Sequence, residues 1–160
     1  MNKEGILKNP VATVDIIIEI PYFKNNYSST AYTGVVIIER KNKPFGLALP
    51  GGFVDEWEYL WHAAIREAKE EVSLDIELVE QFYVYSGPKR DARLSAVSTV
   101  FIATASGEPV AADDAKKVSV VPIQELLEMA QAGAFVFDHN EIIQDYIYYK
   151  KTSKRPGPKR

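Results

Sequence analysis

GGFVDEWEYLWHAAIREAKEEVSL, residues 51–74, is the stretch on which the reading of this chain turns. It opens on a glycine pair, which permits a tight backbone turn that a side chain would obstruct. Asp55 stands where it can cap a helix, with Glu58 three residues on as its capping-box partner, and the helical pattern then runs to about Val72. At 3.6 residues per turn, Trp57, Leu60, Trp61, Ala64, Ile65, Ala68 and Val72 share one arc expected to face the core, while His62 and Lys69 point away. Glu67, Glu70 and Glu71 fall on an arc roughly 100° wide, and it abuts the apolar arc instead of opposing it.

That placement has a cost. Glu67 with Glu70 and Glu67 with Glu71 are like charges one turn apart, each pair worth roughly 0.2–0.5 kcal/mol against the helix. A divalent cation would offset it, and clustered carboxylate oxygens suit Mg²⁺ or Mn²⁺, ions that keep several waters and bind substrate phosphates as well. On charge pattern alone a solvated acidic face, with Arg66 and Lys69 as partners, explains the same residues equally well. Gly51 and Gly52 favour the cation, because their carbonyls can approach a metal, or their amides a phosphate, without obstruction.

Working outward, TVDIIIEI at 13–20 reads as a strand stopped by Pro21, and GVVIIER at 34–40 as a second, with a polar, tyrosine-rich loop between them. LALPGG carries a short strand into the glycine turn. Beyond the helix, IELVEQFYVYS and SAVSTVFIATAS read as long strands, KVSVVP as a shorter one, and IQELLEMAQAG as a helix closed by Gly133. A last helix is expected from about Asp138 to Tyr149. The remainder, KKTSKRPGPKR, is basic with no apolar face and is expected to be disordered, so residues 1–150 form one domain and 151–160 a tail.

The central stretch resembles the Nudix box: a glycine, five residues, Glu, seven residues, Arg-Glu, an aliphatic, one residue, Glu-Glu, one residue, glycine, aliphatic. Gly52, Glu58, Arg66, Glu67, Glu70, Glu71 and Leu74 match without a gap. Ala68 is a small version of the aliphatic, and Ser73 replaces the second glycine, which puts the helix exit in question because serine adopts positive φ only at a cost. The resemblance implies an α/β/α sandwich, an α+β fold with a mixed sheet and a loop–helix–loop motif, and a pyrophosphohydrolase. It implies that Glu67, Glu70 and Glu71 hold Mg²⁺, or Mn²⁺, with the Gly52 carbonyl, that Arg66 orients the acids, and that Glu58 is structural. Glu71, Asp113 and Asp114 are the candidates for general base, with Glu71 preferred; Asp113-Asp114 also suits a plain turn.

Following the box, YSGPKRDARLSAVSTVFI resembles the equivalent stretch of ADP-ribose pyrophosphatases in that superfamily, with Arg90-Asp91-Ala92-Arg93 in place of Arg-Asp-Pro-Arg. The resemblance implies that Arg90 and Arg93 contact the diphosphate or terminal ribose; the plain alternative is exposed loop charge. FDHNEII resembles a helix start common in the same group, with Asp138 as cap and His139 beside it, both read as structural. Tyr22, Phe23, Tyr27 and Tyr32 are candidates to stack an adenine, with no single one assigned. ADP-ribose, cleaved to AMP and ribose 5-phosphate, is the expected substrate; another nucleotide (nucleoside triphosphate, NADH, dinucleotide polyphosphate or nucleotide sugar) and a non-catalytic ADP-ribose sensor are the alternatives.

Composition agrees. At 160 residues with 46% hydrophobic content the chain fits one domain, and a net charge of -3 offers no basic field for nucleic acid. The absence of cysteine excludes a disulfide scaffold and a thiolate nucleophile. The N-terminus lacks the pattern of a signal peptide, and no apolar run reaches membrane-spanning length, so a small-molecule partner, no membrane and a cytoplasmic address are expected. A homodimer is left open.

Overall fold

The computed structural model describes residues 9–22 and 32–158. Four strands and a helix come first: β1 (Val11–Tyr22), β2 (Tyr32–Arg40), β3 (Leu47–Ala48), β4 (Gly51–Phe53) and α1 (Leu60–Val72). Three more strands and two helices follow: β5 (Ile76–Tyr85), β6 (Ala96–Ala105), β7 (Ala115–Pro122), α2 (Ile123–Gln131) and α3 (His139–Thr152). The strands form one sheet in the order β3-β2-β1-β6-β5, with β4 pairing β1 and β7 pairing β2. β1 runs parallel to β6 and antiparallel to β2 and β4, so the sheet is mixed, as expected.

β1 explains why TVDIIIEI shows almost no alternation of polarity: both of its faces are covered. Val14, Ile16 and Ile18 pack with Val36, Ile38, Ala64, Ala68 and Val72 under α1. Ile17 packs on the other face with Val35, Ile37, Leu126, Ile142 and Tyr146, under α2 and α3. Helices on both faces of the sheet make the expected α/β/α sandwich. Among the described residues no helix is long and apolar enough to cross a membrane.

Three expectations are corrected. α1 begins at Leu60, not Asp55, and has no side-chain cap. Asp55 and Glu58 close a turn instead: the Asp55 N–H donates to Glu58 Oε2 at 2.9 Å and the Glu58 N–H to the Asp55 carbonyl at 3.1 Å. Within that turn Trp57 takes φ 67°, which keeps it off the helical arc, and it is 95% exposed. Trp61 and Ile65 are exposed as well, and the buried positions are Ala63, Ala64, Ala68, Glu71 and Val72. Small alanines bring the helix close to the sheet, and the arc turns far enough to bury an acid. Finally, α3 continues to Thr152, and Arg155 donates to the Gln81 and Phe82 carbonyls and to the Glu80 carboxylate. The tail expected to be disordered from residue 151 is thereby tied to β5 through Arg155. Ser73 does take the left-handed conformation, φ 57°, that its place in the motif demands.

Candidate active site

A cavity of about 790 Å³ opens where the glycine turn, α1, the 90–93 loop, the Asp113-Asp114 turn and the start of α3 meet. Its lining brings Gly51, Gly52, Glu67, Glu70, Glu71, Asp113, Asp114, Arg90 and Arg93 together, so the metal-ligand candidates, the general-base candidates and both arginines face one space. Arg66 stands behind that wall.

The glycine pair is shaped by contact. Gly51 has φ +154°, and a Cβ there would lie 2.2 Å from the Val14 carbonyl oxygen of β1. A Cβ on Gly52 would lie 2.4 Å from Glu67 Oε1, so the Glu67 carboxylate rests directly against the turn. The Gly51 N–H donates to Glu71 Oε2 at 2.9 Å. Two acids of α1 are thus seated on the two glycines that precede it.

Arg66 organises the acids. Its Nε and Nη2 donate to the two oxygens of Glu58 at 2.9 and 2.8 Å, a bidentate pair, and Nη2 also reaches the Phe53 carbonyl at 2.9 Å. Nη1 donates to Glu67 Oε1 at 2.8 Å and to Glu70 Oε2 at 3.1 Å. Those bonds hold the Glu58 carboxyl down to about 2 and raise the Arg66 pKa further. Glu58 is therefore the structural acid that the motif implies.

Electrostatically the site is set for a cation. Burial raises Glu67 and pushes Glu71 up to about 8, with the Glu67 charge adding to the effect on Glu71 despite the Gly51 hydrogen bond. Neighbouring buried carboxylates are unfavourable as anions until a cation joins them. The donor set, carboxylate oxygens beside a glycine turn, fits a hard divalent ion. Among the described residues no three acidic or histidine side chains already converge on one point, and Arg66 Nη1 bonds both Glu67 and Glu70.

The floor holds a polar network that the sequence reading did not assemble. Asp15 is the lone acid in an apolar stretch of β1; its Oδ2 accepts from Arg90 Nη2 at 3.0 Å and from the Ser98 hydroxyl at 2.6 Å. His139 Nδ1 accepts from the Leu49 N–H at 2.9 Å, which puts the ring proton on Nε2, 3.2 Å from Asp15 Oδ1. Burial pushes Asp15 up, but His139, Arg90 and Ser98 together hold it down to about 2. Arg90 also grips Asp138 with Nε and Nη2 at 3.0 and 2.9 Å. Asp138 therefore braces Arg90 instead of capping α3.

The cavity's guanidiniums are differently occupied. Arg90 is buried and committed to Asp15 and Asp138. Arg93 is clamped by both oxygens of Asp91 and donates to the Lys43 carbonyl. Arg40, at the end of β2, uses Nε for the Pro44 carbonyl at 3.0 Å. Arg40 and Arg93 both lie over the Phe137 ring, at 5.1 and 5.4 Å, and Phe137 itself has φ 57°. Asp15 could have been found as a break in an apolar strand; nothing local in the sequence marks Arg40 or Phe137. Beside Arg40, Asp114 Oδ1 accepts from Asn42 at 2.7 Å, and the Asp113 carbonyl accepts from Lys41. Of the four aromatics proposed for adenine, Phe23 and Tyr27 lie outside the described residues, as do the side chains of Tyr22 and Tyr32.

The NUDIX domain profile matches residues 28–146, which take in β2 to β7, the box helix, α2 and the first half of α3. The chain belongs to the Nudix family. This Nudix protein is 38% identical over 153 residues, 94% of its own length and 80% of the relative's, to an ADP-ribose pyrophosphatase of Methanocaldococcus jannaschii. Among solved structures it resembles a mutT/nudix family protein from Listeria innocua at TM-score 0.69 and 29% identity, covering 91% of this chain and 96% of that one. It also shares its fold with the NUDIX domain of Shewanella oneidensis NrtR, solved as a complex with ADP ribose, at TM-score 0.71 and 24% identity, covering 94% and 93%. This Nudix chain is accordingly a pyrophosphohydrolase, of a family whose hydrolases use divalent metals.

Proposed function

We propose that this Nudix hydrolase cleaves ADP-ribose to AMP and ribose 5-phosphate in a Mg²⁺-dependent reaction, and that it does so as a single domain. The observation that carries the proposal is the seating of Glu67 and Glu71 against Gly52 and Gly51 on one wall of the cavity, opposite its arginines. The 38% identity to an ADP-ribose pyrophosphatase over most of the chain favours ADP-ribose among nucleoside diphosphate derivatives.

Glu67, Glu70, Glu71 and the Gly52 carbonyl would hold the metal, Mg²⁺ or Mn²⁺. When bound, it supplies charge that polarises phosphoryl oxygens and lowers the pKa of water. Arg66 keeps Glu67 and Glu70 pointed at the site through its hydrogen bonds, and Glu58 fixes Arg66 in turn. Glu71, buried at the back of the cavity, is the preferred general base, and Asp113 and Asp114 face it from the other rim. Arg93 and Arg90 line the opposite wall, the first near solvent and the second as part of the floor. Such chemistry rests on positioning groups around a diphosphate and needs no covalent nucleophile.

Purified protein incubated with Mg²⁺ and a panel of ADP-ribose, NADH, diadenosine polyphosphates, nucleotide sugars and nucleoside triphosphates tests the proposal. AMP released from ADP-ribose ahead of the others is the expected result. Selective cleavage of another member replaces the substrate, and no metal-dependent cleavage of any returns the chain to a binding role.

A further inference from the structure

The cavity has cations to spare for an acidic substrate only if some are not already consumed by the protein's own acids. Arg90 spends Nε and Nη2 on Asp15 and Asp138, which leaves only Nη1 without a partner among the described residues and no paired fork. Arg93 is clamped in a bidentate pair with Asp91, and its Nη1 is turned to the Lys43 carbonyl. Arg40 differs: Nε is fixed on the Pro44 carbonyl, and among the described residues nothing takes up its two terminal nitrogens.

Three features aim that free fork. The pairing of β2 with β7 slips between Glu39 and Arg40, with Lys116 of β7 left over, so the ladder is irregular where the Arg40 side chain leaves the sheet. The turn after β2 is closed by the Arg40 N–H bond to the Gly46 carbonyl at 2.9 Å, so the backbone beneath the guanidinium is held. The guanidinium lies 5.1 Å over the Phe137 ring, and Phe137 is itself fixed, with the Val136 N–H bonded to the Leu47 carbonyl at 2.9 Å. A guanidinium held at Nε and backed by an aromatic ring presents the paired Nη donors that match two phosphoryl oxygens.

We infer that Arg40 is the residue that grips the substrate's diphosphate, with Phe137 as the positioning residue that sets its plane; this rests on the nucleoside diphosphate reading above. Arg90 is then a floor residue and Arg93 a support on the far side of Phe137. Burial and the neighbouring Arg93 charge lower the Arg40 pKa, as expected of a poorly hydrated cation, and Glu71, Asp114 and Asp91 act in the opposite sense.

The test compares Arg40→Gln, Arg40→Lys, Phe137→Leu and Phe137→Tyr with Lys116→Gln. Lys116 sits on the neighbouring strand in an exposed pair with Glu39 and loses the same charge. KM is measured on whichever nucleotide of the panel the wild type cleaves fastest, and dissociation constants on its non-cleavable methylene analogue with Mg²⁺. Arg40→Gln is expected to raise both by about ten- to a hundredfold, the range for losing hydrogen bonds to a charged group. Arg40→Lys recovers only part, because an ammonium has no fork. Phe137→Leu raises KM more than it lowers kcat, Phe137→Tyr restores it, and Lys116→Gln changes nothing. Arg40→Gln within about twofold of wild type in analogue affinity overturns the assignment, as does an equal loss in Lys116→Gln. If Arg40→Gln does not fold, wild-type affinity in Arg40→Lys is the overturning result. A wild type that prefers a nucleotide other than ADP-ribose overturns only the substrate reading, since the Arg40 comparison is then made on that nucleotide.

Discussion

Alanine at Gly51 and at Gly52 should separate folding from catalysis, although the two residues are adjacent. At Gly51 the new Cβ meets the Val14 carbonyl oxygen at 2.2 Å and the Asp15 Cα at 2.8 Å, both backbone atoms of the central strand, in a conformation with φ +154°. Real Cβ atoms essentially never come within 3.0 Å of a neighbour, so β1 or the turn must shift, which disturbs the pairing of Val14 with Gly52 and Asp15 with Gly51. Backbone strain and overpacking together put the loss of stability at about 3 kcal/mol. At Gly52 the three atoms nearest the Cβ all belong to Glu67: Oε1 at 2.4 Å, Cδ at 2.5 Å and Oε2 at 2.7 Å, the far end of a flexible side chain. The carboxylate can swing away, at about 1 kcal/mol or less of stability, but it then leaves the position from which it faces the cavity. Misplacing one group that acts on developing charge costs turnover by about a hundredfold or more. Urea unfolding and Mg²⁺-dependent product release are measured on both variants, with Gly87→Ala as the zero, since a Cβ there meets nothing within 4 Å. Wild-type turnover in Gly52→Ala would show that the seat of Glu67 is irrelevant to catalysis. Wild-type stability in Gly51→Ala would refute the close-approach argument.

Further outcomes follow from the same geometry. Glu71→Gln preserves shape and an acceptor for the Gly51 N–H, so folding should be retained while kcat falls by about two orders of magnitude or more; unchanged kcat in steady-state assays would remove Glu71 from the mechanism. Asp114→Asn and Asp113→Asn, on the rim, should each cost less than about tenfold in kcat, and a larger loss than in Glu71→Gln would move the general base to that turn. Asp15 is held at about 2 against an ordinary 3.8, so its carboxylate stabilises the fold above about pH 4 and that contribution, roughly 2 kcal/mol, is lost as pH falls from about 4 toward 2. Urea midpoints between pH 6 and pH 2.5 should therefore fall more steeply for wild type than for Asp15→Asn; parallel curves would contradict the network. Arg66→Lys keeps the charge but cannot bond Glu58, Glu67, Glu70 and the Phe53 carbonyl at once, so turnover should drop about tenfold or more, checked by kcat at saturating Mg²⁺.

What the sequence disclosed of the fold was whatever periodicity and turn chemistry encode locally. β1 is legible because burial on both faces demands an unbroken β-branched run, and the box helix because its acids recur at helical spacing. The start of α1 was misplaced because Asp55 and Glu58 are the residues of a capping box and do bond as one, yet Trp57 adopts φ 67° and the chain turns before the helix begins. Periodicity cannot see that break, and extending the helix backward through it drew Trp57 onto the apolar arc. The end of α3 was missed for a related reason: Lys150 and Lys151 look like a solvated tail, but cations in a last turn also suit the helix C-terminus, and Arg155 finds its partners on β5, over 70 residues away in sequence.

The candidate site divides along the same line. Gly52, Arg66 and the glutamates lie within twenty residues, their geometry is set by one helix and one turn, and a motif can hold them. The opposing wall is made by tertiary contact alone. Arg90 and Arg93 were recognisable as a pair, but not that Asp15 and Asp138 would consume the first and Asp91 the second. Which guanidinium remains for a ligand depends on subtracting those internal partners, and the partners come from β1, the 90–93 loop and the edge of α3. That subtraction leaves Arg40, a residue that in sequence is only a cation at the end of a strand. A cavity lined by acids has to keep its arginines from collapsing onto the metal carboxylates. Giving two of them dedicated aspartates and the third an aromatic ring does so, while leaving one fork open.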